Sequence, residues 1–165
     1  AGCMSVFRHH RFRWVDNVIR VDLPTDEQDL LRTVLPQLRE MLMAADDPAL
    51  HRLSPPSRPD DDEAEATYRG MVDDDLLIQR LEAIEVVEEG IDGVDLDEDG
   101  VAAWMQSLNA LRLVLAARLD IDILGHDPIA DLDDEDPLMP IAALYEWLGF
   151  LLGSLVDEAM DGFDD

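Results

Sequence analysis

Lysine is missing from this chain of 165 residues: all twelve basic side chains are arginine, set against 39 aspartates and glutamates, for a formal charge of -27. A surface that acidic repels phosphate, which speaks against nucleic-acid binding except through one short arm. Residues 1–20 carry Arg8, Arg11, Arg13 and Arg20 against Asp16, about +3, leaving about -30 on the rest. Cysteine is nearly absent as well. Cys3 stands alone, so an intramolecular disulfide and a cysteine-rich zinc site are excluded. No glycine-rich phosphate loop is present, no serine sits in a G-x-S-x-G turn, and His9, His10, His51 and His126 lack metal-ligand spacing. The first thirty residues hold no continuous apolar segment, so no secretory leader is read, Met4 is the expected natural start, and a cytoplasmic location is expected.

What the chain has is apolar periodicity. Apolar residues make up 47% of it, and a domain of this length buries roughly 70% of the surface its unfolded chain exposes, enough for a core without metals or disulfides. The stretch Asp99 to Leu119 is the centre. Val101, Trp104, Met105, Leu108, Leu111, Val114, Leu115 and Leu119 recur at three- and four-residue steps, the spacing of one helix face. The run Leu138 to Val156 repeats that spacing on a wider circumference, as in a helix buried centrally or shared with a second subunit. Trp147 and Phe150 fall on other sides, and Gly149 and Gly153 have the spacing for close packing against another helix. This run is nearly long enough to span a bilayer, but Glu146 at its middle, Pro137 and Pro140 at its start and flanks without arginine argue against that.

The remaining elements follow from local signals. Residues 5–22 alternate apolar and polar around Asp16-Asn17, a pair that tolerates positive φ, which predicts a β-hairpin, the only β-ribbon expected. Thr25 with Gln28 has capping-box spacing and opens a helix over 25–45, where Leu30, Leu31, Val34, Leu38 and Leu42 form a stripe and Pro36 predicts a kink. A short helical turn is expected near 48–53, then an acidic loop over 54–62. Helix resumes over 61–90, with Asp73-Asp74-Asp75 expected to start a new helix and Gly90 and Gly93 to end it. Helices at 98–119 and 137–158 flank a second acidic loop at 120–136. The fold class is mainly α: one domain over 4–160, a bundle of about five helices with a short N-terminal hairpin.

Candidate sites are few. Asp95-Leu96-Asp97-Glu98-Asp99-Gly100 matches the opening of an EF-hand calcium loop, with Asp95, Asp97 and Asp99 as ligands. The rest of that loop fails: Gln106 stands where the bidentate carboxylate belongs and Ala103 where another ligand would be. The competing role is structural, with Asp97 capping the central helix and Glu98 and Asp99 answering its dipole. No cofactor is implied. Asn109 and Arg112 interrupt the central helix, and Arg112 is expected to pair with a carboxylate such as Glu146 or a loop aspartate. The interaction candidates are Trp104, Asn109, Arg112, Tyr145, Trp147 and Phe150.

Three segments together resemble a known family: Asp47-Pro48-Ala49-Leu50-His51-Arg52-Leu53 with the proline-rich acidic stretch after it, the series from Leu96 to Leu115 with Trp104-Met105-Gln106-Ser107-Leu108-Asn109 inside it, and Tyr145-Glu146-Trp147-Leu148. The chain is similar over about residues 8 to 158 to small acidic actinobacterial proteins, a domain-of-unknown-function family encoded near the Clp adaptor ClpS, one branch of which is the oxidative-stress regulator AosR. The resemblance implies a non-enzymatic regulator acting through protein contacts. Its expected partners are a sigma factor or RNA polymerase in stress-linked transcription, or alternatively the Clp machinery in proteolysis, and a homodimer is compatible with it. It supplies no catalytic residues. A two-cysteine redox switch does not carry over to a chain with only Cys3. The reading from a different class is a metal-binding or acid-base enzyme built on the acidic loops.

Overall fold

A computed structural model of the chain describes residues 10–44, 63–121 and 132–163, apart from the side chains of 63–70, Val72 and Phe163. The element order is β1 (Phe12–Val15), β2 (Val18–Val21), α1 (Thr25–Ala44), α2 (Glu63–Gly90), β3 (Val94–Leu96), α3 (Glu98–Arg118) and α4 (Met139–Phe163). Four helices and three strands are thus present among the described residues. The expected short helix near 48–53, Val6 of the hairpin and most of both acidic loops lie outside them.

The hairpin forms where the alternation put it. Asp16 (φ 50°) and Asn17 (φ 71°) turn the chain, pairing Phe12 with Val21 and Trp14 with Ile19. Phe12, Ile19 and Val21 are buried on its inner face. A third strand was not expected. β3 pairs antiparallel with β2, setting Ile19 against Leu96 and Arg20 against Asp95, so the sheet runs β1-β2-β3. Gly93, at φ 121°, makes the preceding turn after α2 ends at Gly90.

α3 is the centre of the molecule. It packs against α2 on one side and α4 on the other, with Trp104 and Leu108 wholly buried. Phe12 of the sheet meets Trp104 edge to face, ring centroids 6.0 Å apart. The predicted cap is present: the Asp97 carboxylate accepts from the Gly100 amide at 2.8 Å, and Glu98 and Asp99 occupy the first turn. α4 buries Ala142, Leu148, Leu151, Leu155 and Ala159, and is long and apolar enough to cross a membrane. Its buried line packs against α3.

Local expectations are corrected at two points. α2 runs unbroken through Asp73-Asp74-Asp75, whose side chains are all exposed, so no helix starts there. Water solvates three carboxylates on a helix that its other face holds in place. α1 runs as one helix from Thr25 to Ala44 with Pro36 inside it. At its start Gln28 reaches back to the Leu23 carbonyl at 2.8 Å rather than to the Thr25 amide, so the capping box is not closed.

Candidate interaction surface

The carboxylates that suggested calcium are committed elsewhere. Asp95 lies on β3, where Arg20 grips it with Nε to Oδ1 at 2.8 Å and Nη2 to Oδ2 at 3.2 Å. That paired hydrogen bond holds the Asp95 carboxyl below its ordinary range and raises the Arg20 guanidinium. Asp97 is the cap of α3. Each of these two carboxylates thus has a partner within the fold. Among the described residues, no three histidine, cysteine or acidic side chains come together as metal ligands.

The six interaction candidates separate into three environments. Trp104 is fully buried in the core and is no surface residue. Asn109 is exposed on α3. The others gather around α4. Arg112 reaches from α3 across Gly149, where an added Cβ would lie 3.3 Å from its Nε. Its guanidinium carbon sits 4.9 Å from the Tyr145 ring centroid, and Nη2 donates to the Tyr145 hydroxyl at 3.2 Å. No described carboxylate pairs with it, contrary to the expected Glu146 partnership. Its Nε is buried without an acceptor, an arrangement that costs roughly 1–3 kcal/mol. The close approach expected at Gly149 is therefore to a side chain of α3. Gly153 opens onto empty space instead, with nothing within 4 Å of a Cβ built there.

On the other flank of α4, Trp147 donates its indole N–H to Glu27 Oε1 at 2.9 Å. Glu27 also receives Arg11 through Nε and Nη2, both at 2.6 Å, and this hydrogen bond raises the Arg11 guanidinium above its ordinary value. The Arg11 guanidinium carbon in turn sits 5.0 Å from the Phe150 ring centroid. Only Phe150 of the aromatic candidates remains largely exposed, at 55%. Farther along α4, Trp14 donates its backbone N–H to Glu158 Oε1 at 3.0 Å and its indole N–H to the Glu158 carbonyl. The Trp14 ring fills the space a side chain at Gly162 would need.

The result is an outward ridge on α4, Ala143, Glu146, Phe150, Gly153, Asp157 and Met160, all exposed. Arg112 flanks it on one side and the Arg11–Glu27 pair on the other. Sequence reasoning missed Glu27 and Arg11 here. Their only local signal was the position of Glu27 in the first turn of α1, which reads equally well as an answer to the helix dipole. It also missed an apolar cavity of about 140 Å³ between α1, α3 and α4, lined by Val34, Leu38, Met41, Val114 and Leu144, with Gln37 and Arg118 among its polar groups.

No curated protein and no solved structure matches this chain. A family model does, over residues 8–159, a span that takes in the hairpin, α1 to α3, and α4 as far as Ala159, so all of the ridge but Met160. The chain belongs to the family described as domain of unknown function DUF2017.

Proposed function

We propose that this chain is a regulatory domain that works by protein contact rather than by catalysis, and that the outward ridge of α4 is where a partner is met. The observation that carries this reading is Phe150, a large aromatic held 55% exposed beside an open Gly153. Exposed aromatics bounded by charge anchor protein interfaces, and a glycine in open space lets a partner backbone approach closely. A second copy of the chain suits this ridge poorly, because Glu146 and Asp157 would meet like charges across a two-fold axis.

The resemblance to the ClpS-neighbour proteins and their AosR branch supports stress-linked transcription as the setting, with RNA polymerase or a sigma factor as partner. The same resemblance supports an accessory role in Clp proteolysis as the second reading. Affinity capture from native lysate with mass spectrometry tests both, comparing the intact chain with Phe150→Ser. Removing residues 1–22 is no control, since Phe12, Ile19 and Val21 are core residues whose loss unfolds the domain. Polymerase or sigma factor lost on Phe150→Ser supports the first reading, and Clp components lost on it the second. Capture of the same proteins by both chains removes the ridge from the account.

A further inference from the structure

We infer that the outward face of α2 from Met71 to Glu89 is a second docking surface, separate from α4, shaped for a basic amphipathic helix of a protein partner. The inference rests on the reading of this chain as an interaction domain but uses a different face.

α2 turns its packed side inward: Ala83, Ile84 and Val87 are buried. At 100° per residue, Met71, Asp74, Asp75, Ile78, Glu82, Glu85, Val86 and Glu89 fall within an arc of about 120° on the opposite side, over about 27 Å of helix. Every one of them is exposed. Three are apolar, with Met71 at 63%, Ile78 at 53% and Val86 at 37% exposure. Met71 and Ile78 stand seven residues apart, the repeat by which one helix meets another along its length. The five carboxylates between and around them take no ion pair among the described residues. Glu88, one step off this arc, does pair, with Arg39 of α1, so pairing on α2 stops where the outward face begins.

An acidic face without apolar residues would be explained by solvation alone, and an apolar face without charge would be open to any hydrophobic partner. The combination is selective. A partner helix needs apolar side chains at seven-residue spacing for Met71 and Ile78, and lysine or arginine on either side for Asp74, Asp75, Glu82 and Glu85. A second copy of α2 has the opposite charge requirement and is rejected. α3 stands between α2 and α4, so this surface and the α4 ridge can be occupied separately.

The test uses the full chain and two synthetic 18-residue lysine–leucine peptides of identical composition, one with its leucines along a single helix face and one scrambled, with binding measured by calorimetry at 150 mM salt. The amphipathic peptide is expected to bind at least tenfold more tightly than the scrambled one. Ile78→Ser, which exchanges residues of similar helix propensity at an exposed site, is expected to weaken it about fivefold to tenfold. Glu82→Gln with Glu85→Gln is expected to weaken it about threefold and to flatten its salt dependence. Equal binding of the two peptides, absence of binding, or an affinity within twofold of the unaltered chain for Ile78→Ser each overturns the inference. Sensitivity to Phe150→Ser without sensitivity to Ile78→Ser overturns the α2 surface and leaves the α4 ridge standing.

Discussion

Glu27→Ala removes one carboxylate and leaves two donors facing the gap. In the folded chain Glu27 accepts both Arg11 nitrogens at 2.6 Å and the Trp147 indole at 2.9 Å, with Arg11 and Glu27 side chains only 19% and 12% exposed. Breaking a fully buried pair costs about 3–5 kcal/mol and an exposed one about 0–1. A pair this sheltered belongs between, near 2 kcal/mol, and the lost indole hydrogen bond adds about 1 kcal/mol. The expected destabilisation is therefore about 2–3 kcal/mol, read from urea unfolding, with a fall in melting temperature of about 5–10 °C for a domain this size. Arg11→Ala should cost less, because Trp147 keeps its acceptor. The double variant should show coupling of at least about 1 kcal/mol, since each single change already breaks the same pair. A loss under about 0.5 kcal/mol for Glu27→Ala, or strict additivity in the cycle, would refute the view that this carboxylate ties α1 to α4.

Three further outcomes can be checked. Gly90→Ala sets a Cβ 2.6 Å from Val94 Cγ1 and 3.3 Å from Trp104 Cζ2, so chemical denaturation should show about 1–3 kcal/mol of overpacking cost despite the better helix propensity of alanine; a gain in stability would mean the α2–β3 turn shifts freely. Asp97→Ala should cost about 1 kcal/mol and expose the Gly100 amide to faster hydrogen exchange, whereas unchanged exchange would remove the cap. Asp95 is depressed by Arg20, so the stabilisation from their pair is present at neutral pH and disappears as pH falls through the lowered Asp95 value, below the ordinary carboxylate pKa of about 3.9. Arg20→Gln should move the Asp95 titration midpoint upward by carbon-detected NMR, and an unmoved midpoint would contradict the bidentate contact.

The features legible beforehand are those with local causes. The Asp16-Asn17 turn follows from what two residues tolerate, the Asp97 cap from a side chain three residues from its donor, and α3 and α4 from apolar spacing within one segment. What escaped notice depends on residues distant in the chain. β3 is three residues long and exists because β2 offers an edge; alone, Asp95 and Asp97 suggest an ion site. Arg112 meets a tyrosine ring rather than a carboxylate because Gly149 leaves room for it. Trp147 looked like an outward residue for a partner, but it serves Glu27, 120 residues earlier. Phe150 lies off the buried line of α4 and is 55% exposed.

The bond between Trp14 and Glu158 spans 144 residues, which gives it a meaning in time as well as in space. Ribosomes add about 5–20 residues per second, so about 7–30 s separate the synthesis of Trp14 from that of its partner in the helix that clasps the hairpin. Early in that interval Phe12, Ile19 and Val21 lack the cover of α3 and α4, and the three-stranded sheet waits until β3 at Val94–Leu96 has been synthesised. The nascent chain is thus committed to folding late, and its early strands are the segment most dependent on a chaperone or on the acidic charge that follows them to stay apart from their neighbours.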